Sequence, residues 1–424
     1  MEQANTISLW DKSATEAPIS SPLHGDIDTD VAIVGGGFTG LSTALHLAQK
    51  DISCHVFEAK KIGFGGSGRN VGLVNAGLWL PPQDIRKQLG DQYGSEFVRI
   101  LGDAPSYVMS LVDQYQIECE STRTGTIHAA HSPAGFKDLA RRAEEWHRLG
   151  APVDLLDRDR AAEKIGSTAF YGGLHDTRAG TINPMGYVRG LARAALSEGA
   201  KLSTEVKITK LNKVGDKWTL STENGQTITA NSVILGTNAY SDDLWPNLNK
   251  TFTQIHYFQL ATTPLGDAAK AILPERQGLW DTGKIMFSVR RDAFGRIVIG
   301  SMGRIVGGQK GLSVFWAKRN IKRLFPQLGT VDIEKAWYGQ IAMTPDHLPR
   351  IHRLAEGLYT PIGYNGRGIT PGTIFGKAMA ELLAGGKEGE LPLPITDLAT
   401  VGSATVMSRL YEAAFIAHQV YKSL

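Results

Sequence analysis

The apolar positions near the start of the chain change from a strand period to a helical period and back. Positions 31–34 form a short apolar run of β-prone residues, positions 41, 44, 45 and 48 are apolar at helical spacing, and positions 54–58 form a second β-prone segment that ends at Glu58. This pattern predicts a strand, a turn, a helix and a second strand.

Three glycines occupy the predicted turn at the spacing G-x-G-x-x-G. Gly35 permits the tight turn, Gly37 lets the backbone approach a pyrophosphate, and Gly40 lets the helix pack closely on the sheet. Glu58 lies where an acidic side chain accepts hydrogen bonds from a ribose, which disfavours a 2′-phosphate. The pattern therefore predicts a dinucleotide site and leaves NAD and FAD open. The predicted contacts here are Gly35, Gly37, Phe38, Thr39, Gly40, Glu58, Ala59 and Lys60.

A second glycine-dense stretch, "GFGGSGRNVGLVNAG", follows at residues 63–77. A nicotinamide enzyme would normally continue with an apolar-patterned helix and another parallel strand. Small residues instead let an extended segment lie against a flat ligand, while Arg69 and Asn70 offer donors to phosphate or ring oxygens. This loop favours a flavin. The predicted contacts are Gly66, Ser67, Arg69, Asn70, Gly72 and Leu73.

A third glycine turn, "GYNGRG", lies near the other end of the chain between an extended segment at 359–362 and a helix that we expect from about Pro371. Thr370 is suited to the N-cap, with Pro371 at the first helical position. A helix N-terminus at this place would stabilise the negative charge of a reduced flavin. The predicted contacts are Asn365, Gly366, Arg367, Gly368 and Thr370.

The middle of the chain adds an apolar strand at 233–235 that ends in Gly236, Thr237 and Asn238. A strand that ends on such a turn packs against the nucleotide half of a dinucleotide. The preceding segment alternates apolar and polar residues as hairpin strands do. Within it, Val206 is expected to contact adenine through its backbone.

The length and composition exclude several classes of protein. A chain of 424 residues predicts two domains, and 42% hydrophobic with 21% charged residues is ordinary for a soluble globular protein. The net charge of +3 is small and dispersed, which argues against nucleic acid. Cys54 and Cys119 are far apart without metal-ligand spacing, so we expect no disulfide framework, no metal and a cytoplasmic location.

The sequence shows neither a secretory signal nor an apolar run long enough to span a membrane. "AGLWLPP" at 76–82 and the C-terminal segment from 404 are apolar enough for peripheral contact with the inner face of a membrane. Burial of both against the protein is the favoured alternative.

Six motifs in this order resemble the D-amino-acid oxidase superfamily of FAD oxidoreductases: "DVAIVGGGFTGLSTALHLA", "GFGGSGRN", "GTINPMGYVRGLARAALSEGA", "VILGTNAYS", "MTPDHLPRI" and "GYNGRGITPGT". Within the superfamily the chain is similar to the branch that contains γ-glutamylputrescine oxidoreductase and bacterial L-pipecolate oxidase. The stretch "SGRNVGLVNAGLWLPP" favours the latter.

The resemblance implies an α/β fold, α+β overall, with a Rossmann-type FAD-binding domain and an interleaved substrate domain on a large mixed or antiparallel sheet. The expected FAD-binding segments are 1–90, 151–245 with its hairpin strands, and 336–424 with a C-terminal helix. The expected substrate segments are 91–150 and 246–335. Residues 256–265 and 284–302 alternate as strands of the substrate sheet do, and the second turns at "RRDAFG".

The resemblance also implies oxidation of a C–N bond by hydride transfer to flavin N5, which gives an imine. The expected substrate is a secondary amine or amino acid, with a cyclic amino acid such as L-pipecolate favoured and a γ-glutamylputrescine-type amine as the alternative. Sarcosine oxidases of the superfamily carry a flavin-linking cysteine where this chain has about Ala342, so we expect non-covalent FAD.

Those oxidases also place a carboxylate-binding lysine near the position of Thr370, so Arg290 or Arg291 is the expected carboxylate clamp. His256 is equally well explained as a satisfied sheet histidine. The expected substrate-contacting residues are His256, Tyr257, Gln259, Phe287, Arg290 and Trp79.

Oxygen or a respiratory quinone remains open as the electron acceptor. Two rival functions use the same cofactor: oxidation of a hydroxy acid, which needs a base near N5, and a non-catalytic flavoprotein. An NAD-dependent dehydrogenase leaves the second and third glycine loops without a role.

Overall fold

The structure, a computed structural model, describes residues 7–423, so the predicted domain bounds at 1 and 424 lie outside it. The elements of the first half are α1 (Leu9–Ser13), β1 (Ile27–Val34), α2 (Phe38–Ala48), β2 (Cys54–Glu58), β3 (Leu73–Val74), α3 (Pro82–Gln114), β4 (Thr126–Ala129), α4 (Pro133–Arg148), β5 (Val153–Leu156), α5 (Arg158–Ile165), β6 (Gly173–Asp176), β7 (Gly180–Thr181) and α6 (Pro184–Ser197). Those of the second half are β8 (Lys201–Thr204), β9 (Ile208–Val214), β10 (Lys217–Thr222), β11 (Thr227–Leu235), β12 (Thr253–Thr262), β13 (Gly278–Asp281), β14 (Phe287–Arg291), β15 (Ile297–Met302), α7 (Leu312–Leu324), β16 (Ile333–Met343), β17 (Arg350–Ala355), β18 (Leu358–Ile362), α8 (Ile369–Leu383), β19 (Ile395–Thr396) and α9 (Ala404–Ser423).

The first sheet has the strand order β19-β17-β18-β11-β1-β2-β8, with β10 paired to β11 and β9 paired to β10. Its central strands β18, β11, β1, β2 and β8 run parallel. The apolar run at 31–34 lies in the middle and is buried, as expected for a parallel strand covered on both faces. The predicted Rossmann-type domain is confirmed.

Helix α2 lies on this sheet and is buried along its whole length. It packs closely on α8 because α8 carries small residues at the contact. A Cβ on Gly376 would lie 2.5 Å from Ser42 Cβ and 2.6 Å from Thr39 O. The N-termini of the two helices are thereby held next to each other.

The second sheet has the order β16-β12-β15-β14-β13-β4-β6-β5 and is antiparallel except for the pair β13–β4. Its apolar face packs on α7, with Phe258 and Trp316 in edge-to-face contact at 5.1 Å. The expected large mixed sheet is confirmed, and the turn predicted at "RRDAFG" connects β14 to β15.

The strands of the two sheets do not divide along the chain at the predicted domain bounds of 150 and 335. Strands β5 and β6 fall in the range expected for the FAD-binding domain, yet both belong to the second sheet, as does β16. Alternation of apolar and polar residues indicates a strand but does not specify its partner, because strand pairing is set by distant residues.

The two apolar segments considered for membrane contact differ in exposure. In "AGLWLPP", Ala76 and Leu78 are buried, so the burial alternative holds for this segment. Helix α9 packs on α7 and β12 but leaves Val406, Leu410 and Tyr421 exposed. Among residues 7–423, no helix is long and apolar enough to cross a membrane.

Candidate active site

The first glycine turn has the geometry that its spacing predicts. Gly35 adopts φ +111°, and a Cβ on Gly40 would lie 2.0 Å from Gly35 O, so the turn and the helix start need glycine at both positions. Helix α2 begins at Phe38 with Gly37 as its N-cap, which supplies no capping side chain. The first amide groups of a helix have no intrahelical partner, so this end suits an anion.

Glu58 is held in place at the end of β2. Its two carboxylate oxygens accept the backbone N–H groups of Gly36 and Lys60, both at 2.8 Å. Burial raises the pKa of Glu58, and these hydrogen bonds oppose the rise. Each carboxylate oxygen keeps a further lone pair to accept a hydrogen bond from a ribose hydroxyl. The ribose contact stays a prediction. Val206, expected at adenine, donates its backbone N–H to Glu58 O at 2.9 Å.

The second glycine loop packs directly on the first. Ser67 Oγ accepts the N–H of Phe38 at 3.0 Å, and a Cβ on Gly37 would lie 2.9 Å from that oxygen. Arg69 donates to Phe64 O and Tyr338 O, its guanidinium lies 4.6 Å from the Phe64 ring centroid, and its Nη2 is buried without a hydrogen-bond partner among the described residues.

Two residues of this loop make contacts within the protein that fix its shape. The Asn70 amide donates to Gly66 O and Ser67 O, and its Oδ1 accepts the N–H of Gly72 at 2.8 Å. Gly72 does not line the cavity described below; a Cβ there would lie 2.1 Å from Ile182 O, at φ +81°. Both residues shape the loop.

The third glycine turn differs in detail from the prediction. Helix α8 begins at Ile369 with Gly368 as N-cap, so Thr370 is inside the helix and not its N-cap. The Thr370 hydroxyl donates instead to Asn75 O at 3.1 Å. Asn365, at φ +54°, binds Gly363 O and Thr344 N through its side chain. The turn is also tied to the middle strand, since Gly363 N donates to Asn238 Oδ1 at 2.9 Å.

Arg367 contacts two indole rings that are perpendicular to each other. Its guanidinium lies 4.3 Å from the Trp79 ring centroid and 4.9 Å from that of Trp280, and its Nη1 donates to Ala76 O and Gly77 O. Burial lowers the pKa of Arg367 to about 9, so the side chain stays protonated at neutral pH.

One cavity of about 740 Å³ connects the three turns, a volume typical of cofactor and ligand sites. It brings together most of the predicted residues. Those that line it are Gly35, Gly37, Phe38, Thr39, Glu58, Ala59, Lys60, Gly66, Ser67, Arg69, Asn70, Leu73, Trp79, Val206, Gly236, Thr237, Asn238, Tyr257, Gln259, Asn365, Gly366, Arg367 and Gly368. Gly40, Gly72, Thr370, His256, Phe287 and Arg290 are not among the lining residues.

Strand alternation explains two of these exclusions. Ile255, Tyr257 and Gln259 on β12 face the cavity, so His256 faces the other side of the sheet. There His256 Nδ1 lies 2.7 Å from Glu412 Oε1 of α9. On β14, Ser288 faces the cavity and Phe287 packs in the apolar core behind the sheet.

Arg290, the expected carboxylate clamp, is engaged with backbone carbonyl groups. It is fully buried, donates to Val71 O and Ile182 O, and lies 5.1 Å from the Trp10 ring centroid. Arg290 does not line the cavity. Arg291 is also engaged elsewhere, since it donates to Ile272 O and Pro274 O, both at 2.9 Å.

We use the name strand wall for Tyr257, Gln259, Trp280, Met286 and Ser288, which line the cavity from the second sheet. Trp280, Met286 and Ser288 were missed by the sequence analysis. The period-two pattern places Ser288 on β14 and Met286, just before it, on one face, but without knowledge of the sheet order that face is not identifiable. Trp280 lies within the short strand 278–281, which is buried throughout and shows no alternation.

Four buried polar atoms of lining residues have no hydrogen-bond partner among the described residues: Arg69 Nη2, Gln259 Oε1, Trp280 Nε1 and Arg367 Nε. Unpaired buried polar groups are costly and indicate a missing partner. Their clustering on one cavity is typical of a ligand site.

A family model described as FAD dependent oxidoreductase (DAO) matches residues 30–382. The chain is 31% identical over 393 residues to γ-glutamylputrescine oxidoreductase of Escherichia coli (strain K12), covering 91% of this chain and 90% of that protein. It is 30% identical over 388 residues to the probable oxidoreductase OrdL of Rhizobium meliloti (strain 1021), with the same coverage of both chains.

The fold is similar to solved structures of lower identity. L-proline dehydrogenase from P. horikoshii has a TM-score of 0.71 at 20% identity, covering 87% of this chain and 96% of that one. Glycine oxidase from Geobacillus kaustophilus has a TM-score of 0.69 at 20% identity, covering 85% and 96%.

Proposed function

The chain belongs to the DAO family of FAD-dependent oxidoreductases, and from this premise we propose that it oxidises the C–N bond of an amino acid whose carboxylate lies next to the reacting nitrogen. A cyclic amino acid such as L-pipecolate is the favoured substrate. The observation that carries the proposal is the distribution of charge along the cavity.

The residues present fit FAD. The N-terminus of α2 suits the pyrophosphate, Glu58 the ribose, and Ser67, Arg69 and the N-terminus of α8 the ring. The buried, unpaired Arg69 Nη2 supports a polar ligand at that place. When bound, FAD supplies an acceptor for a hydride. We propose non-covalent FAD because both cysteines of the chain, Cys54 and Cys119, are buried away from the cavity.

The charge of the cavity changes from one end to the other. Among the described lining residues, the acids are Glu58, Glu223 and Asp242. They lie toward the nucleotide end: Asp242 faces Lys207 at 3.8 Å, and Glu223 N donates to Lys207 O. The strand wall carries no carboxylate, and the cations beside it are Arg367 and Lys284. This end suits an anionic group and disfavours a cationic one.

Arg367 is the proposed carboxylate partner, in place of Arg290. Its guanidinium is buried, charged and positioned by two carbonyl oxygens and two indoles. A guanidinium binds a carboxylate through paired hydrogen bonds. The rings of Trp79 and Trp280 lie at 90° to each other with their centroids 6.3 Å apart, and they add apolar surface beside the guanidinium for the C–H groups of the substrate.

The proposed reaction requires little general acid–base catalysis by the protein. The α-C–H bond breaks with its electron pair, the nitrogen lone pair forms the C=N bond, and water later opens the imine. The strand wall orients the substrate and excludes water, and its apolar groups favour the neutral amine over the ammonium. Tyr257 does not act as a base, because burial raises its pKa and its hydroxyl donates to Ser288 Oγ at 2.8 Å.

Anaerobic bleaching of the flavin by a matched panel tests the proposal. We expect rapid bleaching by L-pipecolate or L-proline, slow bleaching by piperidine, which lacks the carboxylate, and none by the matching 2-hydroxy acid. Equal rates with piperidine and L-pipecolate would contradict the proposed role of the carboxylate. Bleaching by the hydroxy acid alone would favour C–O oxidation.

A γ-glutamylputrescine-type amine is the second candidate, favoured by the 31% identity to the enzyme of that name. Its carboxylate lies many bonds from the reacting amine. Preference for γ-glutamylputrescine over L-pipecolate in the same panel would select this candidate.

We propose a cytoplasmic enzyme that passes its electrons to oxygen or to a membrane quinone. The exposed apolar residues of α9 support a peripheral membrane contact for the quinone reaction. Peroxide formation in the absence of vesicles identifies the oxidase reaction, and quinone reduction restricted to vesicle-bound protein identifies the other.

A further inference from the structure

Gln259 presents a hydrogen-bond acceptor whose orientation is fixed by its neighbours. Its Nε2 donates to Arg69 O at 3.0 Å, and Trp337 Nε1 donates to the same oxygen at 2.9 Å. A carbonyl oxygen only accepts, so the amide nitrogen of Gln259 must face Arg69. The Oε1 atom therefore occupies the other side of the amide.

This oxygen is buried and has no hydrogen-bond partner among residues 7–423. The Gln259 side chain is 1% exposed and lines the cavity. A buried acceptor without a partner is costly, so we expect a donor from a ligand at this position.

We propose that Gln259 Oε1 accepts the N–H of the substrate's reacting nitrogen and thereby selects substrates that carry an N–H. The inference rests on the proposed function and deepens it. Of the four unpaired buried atoms on the cavity, Arg69 Nη2, Trp280 Nε1 and Arg367 Nε are donors, and Gln259 Oε1 is the acceptor. An amino acid with a neutral amine offers the matching set, because its carboxylate accepts and its N–H donates.

The neutral amide suits the reaction better than a carboxylate would. A carboxylate at this position would stabilise the ammonium form, whose lone pair is not free. A neutral acceptor holds the N–H of the neutral amine and leaves the nitrogen lone pair available to form the C=N bond. Tyr257, on the same face of β12, directs its hydroxyl to Ser288 Oγ and Gly300 O.

Binding of two matched aromatic acids to the FAD-loaded protein tests the inference without turnover. Pyrrole-2-carboxylate carries an N–H where 2-furoate carries an oxygen, and neither is oxidised as an amine. We expect the wild type to bind the pyrrole about tenfold more tightly, the value of one hydrogen bond, as measured by the shift of the flavin absorption. In Gln259→Leu the preference should fall below about threefold.

Gln254→Leu is the matched control. Gln254 lies on the same strand, does not line the cavity, and donates to Ala239 O at 3.3 Å. This variant should keep the wild-type preference. Gln259→Met, which keeps the length of the side chain, repeats the test should Gln259→Leu lose FAD.

Two results would overturn the inference: a wild type without preference for the pyrrole, or Gln259 variants that keep it. Failure of the proposed function gives a different result, because no amine would then bleach the flavin, whichever of the two acids binds more tightly. The two failures are therefore distinguishable.

Discussion

At the scale of single residues, the direction of a side chain decides its role. Alternation identified β12 and β14 as strands, but two adjacent residues, His256 and Tyr257, were both expected at the substrate. They face opposite sides of the sheet, and only Tyr257 lines the cavity. Which face is buried against the cofactor depends on distant strands, so period alone does not identify it.

Arg367 illustrates the opposite case, in which the residue was identified but its proposed partner changed. The sequence motif predicted a flavin contact, while in the structure its guanidinium contacts the rings of both Trp79 and Trp280. Both indoles come from segments far from position 367, which no local pattern reveals.

The variant Arg367→Leu tests the proposed carboxylate contact. We expect kcat/KM for L-pipecolate to fall roughly tenfold to a hundredfold, since a hydrogen bond to a charged group contributes about 1.5–3 kcal/mol. The rate with piperidine should change far less, because that amine has no carboxylate. Steady-state kinetics with both amines measures the difference.

Arg291→Leu provides the control for loss of a guanidinium near the site. Arg291 binds backbone carbonyls and does not line the cavity, so kcat/KM should stay near the wild-type value. A fall as large as that of Arg367→Leu would argue against a specific role for Arg367.

At the scale of elements, two helix N-termini are brought to one cavity by close helix packing. Glycine spacing predicted the turn before α2 well, because each glycine meets a local steric demand. The start of α8 was placed at Pro371 but lies at Ile369, since the Thr370 hydroxyl binds Asn75 O instead of capping the helix. That partner is distant in sequence, so the cap was not predictable locally.

Gly376→Ala tests the packing of α8 on α2. Its Cβ would meet Ser42 Cβ at 2.5 Å and Thr39 O at 2.6 Å, so the helices must separate. We expect a loss of about 1–3 kcal/mol in the free energy of unfolding and weaker FAD binding, measured by denaturation and by flavin release.

The control is Gly389→Ala, where an added Cβ meets nothing within 4 Å. This variant should match the wild type in both measurements. Unchanged FAD affinity in Gly376→Ala, despite lower stability, would contradict the link between helix packing and the cofactor site.

At the scale of the whole molecule, the cavity lies between a parallel sheet and a mixed sheet whose strands are interleaved along the chain. The strand–turn–helix–strand unit was predictable because the glycine turn and the strand pattern are local signals, whereas the two-domain fold was expected from the family resemblance. The membership of β5, β6 and β16 was not, because it depends on pairing between segments far apart in sequence.

The proposed function joins these scales: we propose that a cavity which binds FAD at three glycine turns places the strand wall and Arg367 against an amino acid, whose α-carbon gives up a hydride. Anaerobic mixing of the FAD-loaded protein with L-pipecolate and with its α-deuterated form tests this most directly. The account predicts loss of the flavin absorption, slower with deuterium, and a product two hydrogens lighter. A flavin that dithionite bleaches but that neither L-pipecolate nor any other amine of the panel bleaches would contradict it.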